Sequence, residues 1–453
     1  VGEIGLYYVH GTQSSAAGPI GYGRLGVQLA KEIRAAGVTV YDHLPSPSRP
    51  TPDVGYASKI ASTAMWVSVP GHMEGWWEGQ HRAIFTMWEA TRLPEQFREN
   101  LHCFDTVFVP SAQNLELFSQ YHPNVVYVPL GIDPEAWHYR ERQRPTSTFR
   151  FLIGGSGPRK GVDIAHRAFL ALWGREGSWG DGPVPTLTLK SPKGGDFYGP
   201  RVRMVSGRLT DTEELDLYAN AHCYLQPSRG EGFGLQPLQA IAQGIPTILT
   251  GAHGHAAFAH LGWPVSARLV PSDYFIYGDA GDWWEPNLDE MCDQMRWVYD
   301  HYDAACAHAA DAATVAAAEF PWSKCAATIL DHVPTGPYTG AGDLARPDLW
   351  RTPDSLLYMA RVLRRWTADI AGRRHVMEPG EDYWVPADVK RILYEAGRLD
   401  PTCEDGAGLT VEQVAALGGY RYDKSFCPTC DQQLNTGVRR QDVILAEMEQ
   451  AIR

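Results

Sequence analysis

The sequence predicts an α/β protein with two doubly wound parallel-sheet domains facing a cleft, followed by a small, mainly helical C-terminal unit. Three observations carry this prediction. Short apolar runs alternate with helical patterns from the start of the chain to about residue 333. A polar, Arg-rich stretch without apolar periodicity, Tyr139 to Pro145, interrupts that series once. A Gly/Pro-rich stretch, Pro334 to Pro347, ends it. The expected boundaries are therefore 1–145, 146–336 and 337–453.

In the first domain, Ile4 to Val9 reads as a strand, residues 11–23 as a Gly-rich loop, and Tyr22 to Ala36 as a helix with Leu25, Leu29 and Ile33 on one face. Thr39 to Leu44, Ala64 to Val69, Ile84 to Trp88, Thr106 to Val109 and Val125 to Val128 continue the strands. The second series has strands at Phe149 to Ile153, Thr186 to Leu189, Val202 to Val205, Cys223 to Gln226 and Thr247 to Leu249. Helical patterns separate them at Val162 to Trp173 and Thr210 to Ala221, the latter opened by a Thr210/Glu213 capping box. An Ala-rich helix over 303–320 follows, and Pro321-Trp322 opens a last one to about Val333. Beyond it, Asp354 to Ile370, Pro386 to Ala396 and Val438 to Arg453 read as helical. In paired sheets of this kind ligands bind outside the carboxyl ends of the strands.

Composition narrows the function classes. At 453 residues, with 44% hydrophobic and 21% charged, the chain has the usage of ordinary globular domains, which excludes wholesale disorder and fibrous repeats. A net charge of −13 gives no global basic field to draw it to nucleic acid, leaving only a local patch for that purpose. No run approaches the roughly 18 to 20 apolar residues of a membrane span, and the start lacks a basic n-region and apolar stretch, so a cytoplasmic protein is expected. The eight Cys are scattered apart from Cys427 and Cys430, as expected of buried free thiols. Fifteen Trp and 21 Tyr suit rings stacking on sugars or bases, but core packing is the first reading.

The densest chemical signal is Gln226-Pro-Ser-Arg-Gly-Glu-Gly-Phe-Gly-Leu-Gln-Pro-Leu-Gln-Ala-Ile-Ala-Gln-Gly-Ile-Pro246. A strand ends at Gln226, glycines at 230, 232 and 234 admit close backbone approach, and Pro237 sits in the first turn of a helix. Such a turn aims free N–H groups at an anion. Glu231 in the loop and Gln239 in the helix are placed to face one ligand.

This segment resembles the signature of retaining GT-B glycosyltransferases of the sucrose-synthase and mannosyltransferase-like family (glycosyl transferases group 1), in which a Glu, seven residues and a second Glu span loop and helix. The resemblance continues in order through Gly157-Pro-Arg-Lys-Gly161, Pro110-Ser111, Pro129-Leu-Gly-Ile-Asp133 and Gly21-Tyr-Gly23, and covers about residues 4–335. It implies a GT-B architecture of two Rossmann-like domains, the first on the acceptor side and the second binding a nucleotide diphospho-sugar.

The resemblance also implies roles. Glu231 would contact donor-sugar hydroxyls, with the amides of Phe233, Gly234 and Leu235 meeting sugar and phosphate, and Gly21 lying at the donor. The family's second Glu accepts bonds from the ribose; here Gln239 offers an uncharged carbonyl instead. Lys160 matches the Lys of the diphosphate clamp. The clamp's Arg position falls on Gly154, leaving Arg159 or the amides of Gly154 and Gly155 to compensate. No metal is obligatory for the chemistry. Glu89, in Thr86-Met-Trp-Glu-Ala-Thr-Arg-Leu-Pro94, is a candidate for an acceptor or sugar hydroxyl, with Trp88 beside it and His72 on an aromatic-rich loop. His253 and His255 lie where the family's loop nears the donor sugar.

The C-terminal unit falls outside the resemblance. Cys427 and Cys430 could form half of a zinc site, completed by Cys403 and His375, or be a plain thiol pair. Arg361, Arg364 and Arg365 share one face if that stretch is helical, with Arg373 and Arg374 just beyond, as a phosphate grip or a solvated face. The expected function is transfer of a sugar, with retention, from a nucleotide diphospho-sugar to a large acceptor. The texture resembles phage-encoded members, which would act in the host cytoplasm. Their acceptors include hydroxymethylated bases of phage DNA, and proteins or glycans are the alternatives. A non-catalytic nucleotide-sugar binding module is the reading from a different class. The sequence leaves the oligomeric state open.

Overall fold

The computed structural model describes residues 2–8, 21–43, 61–70, 76–191, 197–207, 209–273 and 279–340, together with a few short strands beyond them. The first domain contains β1 (Glu3–Tyr8), α1 (Tyr22–Ala35), β2 (Thr39–His43), β3 (Thr63–Val67), β4 (Trp76–Trp77), β5 (His81–Phe85), α2 (Glu95–Leu101), β6 (Thr106–Val109), α3 (Ala112–Ser119) and β7 (Val125–Tyr127). Six of these strands form one parallel sheet in the order β2-β1-β3-β5-β6-β7. Every residue of β3 is buried, as expected of a central parallel strand covered on both faces. Helix α1 buries Leu25, Leu29 and Ile33, the face its sequence spacing marks.

The second domain contains β8 (Thr148–Gly154), α4 (Val162–Trp173), β9 (Val184–Ser191), β10 (Val202–Ser206), α5 (Asp211–Ala219), β11 (Cys223–Gln226), α6 (Leu235–Ala242), β12 (Thr247–Thr250) and β13 (Trp263–Val265). Its sheet is parallel throughout, in the order β10-β9-β8-β11-β12-β13. Burial alternates strictly along β9, with Pro185, Leu187, Leu189 and Ser191 inside. The capping box at Thr210 and Glu213 forms at the start of α5 as the sequence indicates. Strand order reverses between β8 and β11, so a crevice opens beyond their carboxyl ends. An antiparallel hairpin, β14 (Ala267–Pro271) and β15 (Asp282–Pro286), precedes α7 (Leu288–Asp300), α8 (Tyr302–Glu319) and α9 (Trp322–Asp331).

The Arg-rich connection is fastened to the second domain. Arg142 donates to the carbonyls of Ala219 and Ala221 at 2.8 and 3.0 Å, and Arg144 donates to that of Tyr299 at 3.1 Å. The chain then returns to the first domain. The Ile132 amide donates to the Phe320 carbonyl at 2.8 Å, Ile132 bridges Pro321, and α9 packs against α1. One core runs from Leu25, Leu29 and Ile33 of α1 through Trp322 and Ile329 of α9 to Phe233 and Leu238. A second, centred on Phe149, Phe151, Trp173 and Tyr299, lies under α4 and α7.

Residues 1–272 and 280–349 form one compact unit, and residues 273–279 and 350–453 a second. In the first, β16 (Leu344–Ala345) pairs with β4. In the second, the described residues are strands: β17 (Leu356–Arg361), β18 (Trp366–Ile370), β19 (Arg373–Met377), β20 (Asp382–Pro386) and β21 (Leu409–Thr410). This corrects the expected helix over Asp354 to Ile370. Strands β17 and β20 pair antiparallel, as do β18 and β19, with only Ala371-Gly372 between the latter two. The aromatic and β-branched content of Trp366-Thr-Ala-Asp-Ile370 favours that hairpin over a helix. Arg361, Arg373 and Arg374 accordingly stand on strands, which removes the one-face helical spacing. Arg364 and Arg365, the helices expected beyond Pro386, and Cys403, Cys427 and Cys430 lie outside the described residues, while His375 is part of β19.

Candidate functional site

Four of the residues singled out by sequence, Glu231, Lys160, Arg159 and Glu89, converge at the carboxyl ends of β8 and β11. After β8 the chain runs through Gly154 and Gly155 into a single 3-10 turn, Pro158–Lys160, that ends at Gly161 and leads into α4. Gly161 has φ 66°, and a Cβ there would overlap the carbonyl oxygen of Pro227, so only glycine lets the turn lie flat on the loop after β11. That loop carries Glu231, which is buried. Its carboxylate accepts from Lys160 Nζ at 2.7 and 2.9 Å and from Arg159 Nη1 at 3.4 Å. Arg159 Nη1 also donates to the Gly230 carbonyl at 2.6 Å.

The first domain contributes Glu89, whose Oε1 stands 3.8 Å from Arg159 Nη1. A Cβ on Gly230 would overlap the carbonyl of Glu89, so the two loops approach at backbone distance. Two carboxylates and two cations from both domains thus meet in one cluster. Burial alone would raise the Glu231 carboxyl, but the charges of Lys160 and Arg159 outweigh it and hold the group down at about 2. It is a carboxylate at any physiological pH.

Helix α6 starts at Leu235 after Gly234, and no side chain caps it. The amides of 233–235 and their end of the helix dipole therefore belong to the same anion-favouring corner as Lys160. Gln239, inside α6, is buried, and its Oε1 has no hydrogen-bond partner among the described residues. An orphaned acceptor of this kind suits a ligand hydroxyl. Gly21 caps α1 with φ 53°.

Both histidines after β12 are buried. His253 Nε2 meets the Ser228 carbonyl at 3.1 Å, and His255 Nδ1 meets that of Thr250 at 3.3 Å, while His253 Nδ1 and His255 Nε2 have no partner among the described residues. His253 has φ 46°, an uncommon conformation for a side-chain-bearing residue, and its ring faces Trp284 of β15 at 5.6 Å. Burial drives both imidazoles below their ordinary range, His255 to about 4. The Gly254 amide between them donates to the Glu231 carbonyl at 3.0 Å, which ties this loop to the catalytic candidate.

Trp88 departs from the acceptor-side expectation. Its ring is buried against Phe97 with centroids 5.3 Å apart, its Nε1 donates to the Arg92 carbonyl at 2.7 Å, and Asn114 brackets its backbone. The large indole fills the core beneath the Glu89 loop and leaves no face for an acceptor. His72 lies outside the described residues.

Sequence reasoning missed three participants. Arg229, inside the signature segment, makes a two-pronged ion pair with Asp163 and also pairs with Glu285. Tyr22, beside the Gly21 motif, accepts from the Met87 amide at 3.1 Å. Arg24, in the first turn of α1, reaches Asp211 and Glu214 of α5 at 3.2 and 3.1 Å, and Glu214 is also paired with Lys190. Their positions next to recognised motifs are the only signal the sequence offers. Among the described residues no group of three His, Cys, Asp or Glu side chains is placed to hold a metal ion, and no helix is long and apolar enough to cross a membrane.

Comparison with known proteins bears on the fold and on part of the chain. Residues 111–329 match the family model described as Family 4 Glycosyltransferase in conflict systems. No curated protein sequence matches the chain. Among solved structures, sucrose-phosphate synthase from Thermosynechococcus elongatus aligns over 73% of this chain and 97% of its own with a TM-score of 0.53 and 14% identity. The lipopolysaccharide glycosyltransferase WaaG aligns over 73% and 99% with a TM-score of 0.48 and 15% identity. HepE from Anabaena, solved with UDP and glucose, gives 73%, 99%, 0.48 and 12%. Residues 111–329 thus resemble a family 4 glycosyltransferase domain, on a chain with the GT-B fold.

Proposed function

We propose that the protein transfers a sugar from a nucleoside diphospho-sugar to a hydroxyl of a large acceptor with retention of configuration, the acceptor being a hydroxymethylated base in DNA and the setting phage-encoded. The observation that carries the donor half is the cluster of Lys160, Arg159, Glu231 and Glu89 at the β8–β11 crevice. When the C1–O bond to the diphosphate breaks, negative charge grows on the leaving phosphate. Lys160, Arg159 and the amides of 233–235 stand ready to take it up. Glu231 holds sugar hydroxyls, and Gln239 Oε1 accepts from the ribose. The acceptor oxygen bonds to C1 on the face the phosphate leaves, and its proton passes to a phosphate oxygen. That route needs no carboxylate nucleophile and no obligatory metal.

The resemblance to retaining enzymes supports the stereochemistry. The description of the matching family as acting in conflict systems favours an acceptor through which one genome marks or disables another, and modified DNA is such an acceptor. Incubation with labelled UDP-, GDP- and TDP-sugars, with and without hydroxymethylated DNA, tests the reading. Label in DNA with the donor's anomeric configuration is the expected result. Transfer only to protein or glycan overturns the acceptor, and inversion overturns the mechanism.

A further inference from the structure

The turn that carries Arg159 and Lys160 closes on itself through the Lys160 amide to the Gly157 carbonyl at 3.3 Å and the Gly161 amide to the Pro158 carbonyl at 3.1 Å. It is three residues long, bounded by Gly157 with φ 76° and Gly161 with φ 66°, and has no side-chain cap. Arg229 fastens it further from outside. The Arg229 backbone amide donates to the Arg159 carbonyl at 2.7 Å, and its Nη1 donates to the Pro158 carbonyl. The same guanidinium forks onto Asp163, in the first turn of α4, through Nη1 and Nη2 at 2.8 Å each. Its Nε and Nη2 pair with Glu285 of β15, while its carbonyl accepts from the Trp284 amide at 2.8 Å. The residue is buried and every guanidinium nitrogen is engaged within the protein, so it has no donor to spare for a ligand.

We propose that Arg229 is a positioning residue: by clamping the 158–160 turn between the loop after β11, the start of α4 and the β14–β15 hairpin, it sets Lys160 and Arg159 where the donor's diphosphate must lie. This rests on the reading of those cations as the phosphate site. A guanidinium suits the task because its planar fork fixes direction, which an ammonium at the same place does not. Gly161 lets the turn lie close to the loop after β11, and neither Gly157 nor Gly161 brings a side chain to cap it. Small displacements of a charge-stabilising group are costly to catalysis.

The test measures binding of uridine, guanosine, adenosine and thymidine diphosphates to the full chain by calorimetry, and donor turnover, in Arg229→Lys, Arg229→Met, Glu285→Gln and Lys160→Ala. Arg229→Lys is expected to weaken nucleoside diphosphate binding about tenfold and to raise the donor KM while lowering kcat. In a Lys160→Ala background the same change is expected to cost less than it does alone, because part of its effect passes through Lys160. Glu285→Gln, which leaves the Asp163 fork intact, should show a smaller loss of the same kind and keeps the test open should Arg229→Met fail to fold. Full, independent additivity of the Arg229 and Lys160 changes, or wild-type binding in Arg229→Lys, overturns the positioning role and leaves the donor site standing. If the wild-type protein binds none of the four nucleotides, the donor-site reading itself falls and the positioning role falls with it.

Discussion

Lys160 Nζ stands 2.7 Å from one oxygen of Glu231 and 2.9 Å from the other, so a single ammonium bridges both oxygens of a buried carboxylate. On the proposed donor reading, binding redistributes this charge between the diphosphate and the sugar. Lys160→Ala should therefore weaken nucleoside diphosphate binding by about 1.5–3 kcal/mol, the scale of a charge-assisted hydrogen bond. Calorimetry with the diphosphate alone checks this, and an unchanged dissociation constant would remove Lys160 from the site.

Glu231→Gln is nearly isosteric but loses the charge that Lys160 and Arg159 neutralise. Turnover should fall by about 100-fold, with far less change in nucleotide affinity, because the proposed partner of Glu231 is the sugar rather than the diphosphate. Wild-type turnover in the variant would exclude the residue.

Gln239 offers the opposite sign of change. Its Oε1 is buried without a partner among the described residues, so a carboxylate there should bind ribose hydroxyls at least as tightly. The free protein should lose roughly 1–3 kcal/mol of stability, since an unpartnered charge replaces an amide. Gln239→Glu is expected to lower the Tm without nucleotide and to regain it when nucleotide is added. Loss of nucleotide binding would contradict the ribose contact.

Acid sensitivity follows from the buried imidazoles. His255 is held at about 4 against an ordinary 6.5 by burial, and His222 is likewise held at about 4 by burial and the nearby Arg150 and Arg142. Below pH 6.5 the unfolded chain takes up protons that the folded chain refuses. Stability should thus fall as pH drops from 6.5 to 4, by about 1.4 kcal/mol per pH unit for each of these two histidines, their own contribution being complete near 4. Denaturant unfolding across that range measures the slope, and His255→Asn should reduce it by one proton's worth. A flat profile would show that these rings are not buried neutral.

Local patterns were sufficient for much of the fold. Helix α4 spans Val162–Trp173 and strand β11 spans Cys223–Gln226, the bounds their periodicity indicates, and the Thr210 capping box closes as read. The elements that escaped, such as β13 at three residues and the β14–β15 hairpin, are short and acquire their shape from neighbours. The motif residues Glu231, Lys160 and Arg159 were legible because each sits in a loop after a strand with distinctive glycines around it, and Glu89 because it is a carboxylate shortly after a strand. Arg229 was not, because its partners Glu285 and Asp163 lie 56 and 66 residues away in sequence. Nor was the core role of Trp88, since one sequence position cannot tell a ring lining a cleft from one beneath it.

The return of the chain at Phe320 makes sequence halves and structural halves differ. Helix α9 closes over α1, and Ile132 bonds back to Phe320 and Pro321, so the first domain is sewn shut by residues from the far end of the second. Anyone exchanging donor specificity between relatives by recombination has to cut twice, near residue 145 and again near residue 320, and leave the last helix with the recipient. A single crossover at the linker would instead pair α1 with a foreign α9. Such chimeras should lose solubility before they lose chemistry, because the mismatch would fall on the apolar seam rather than on the crevice.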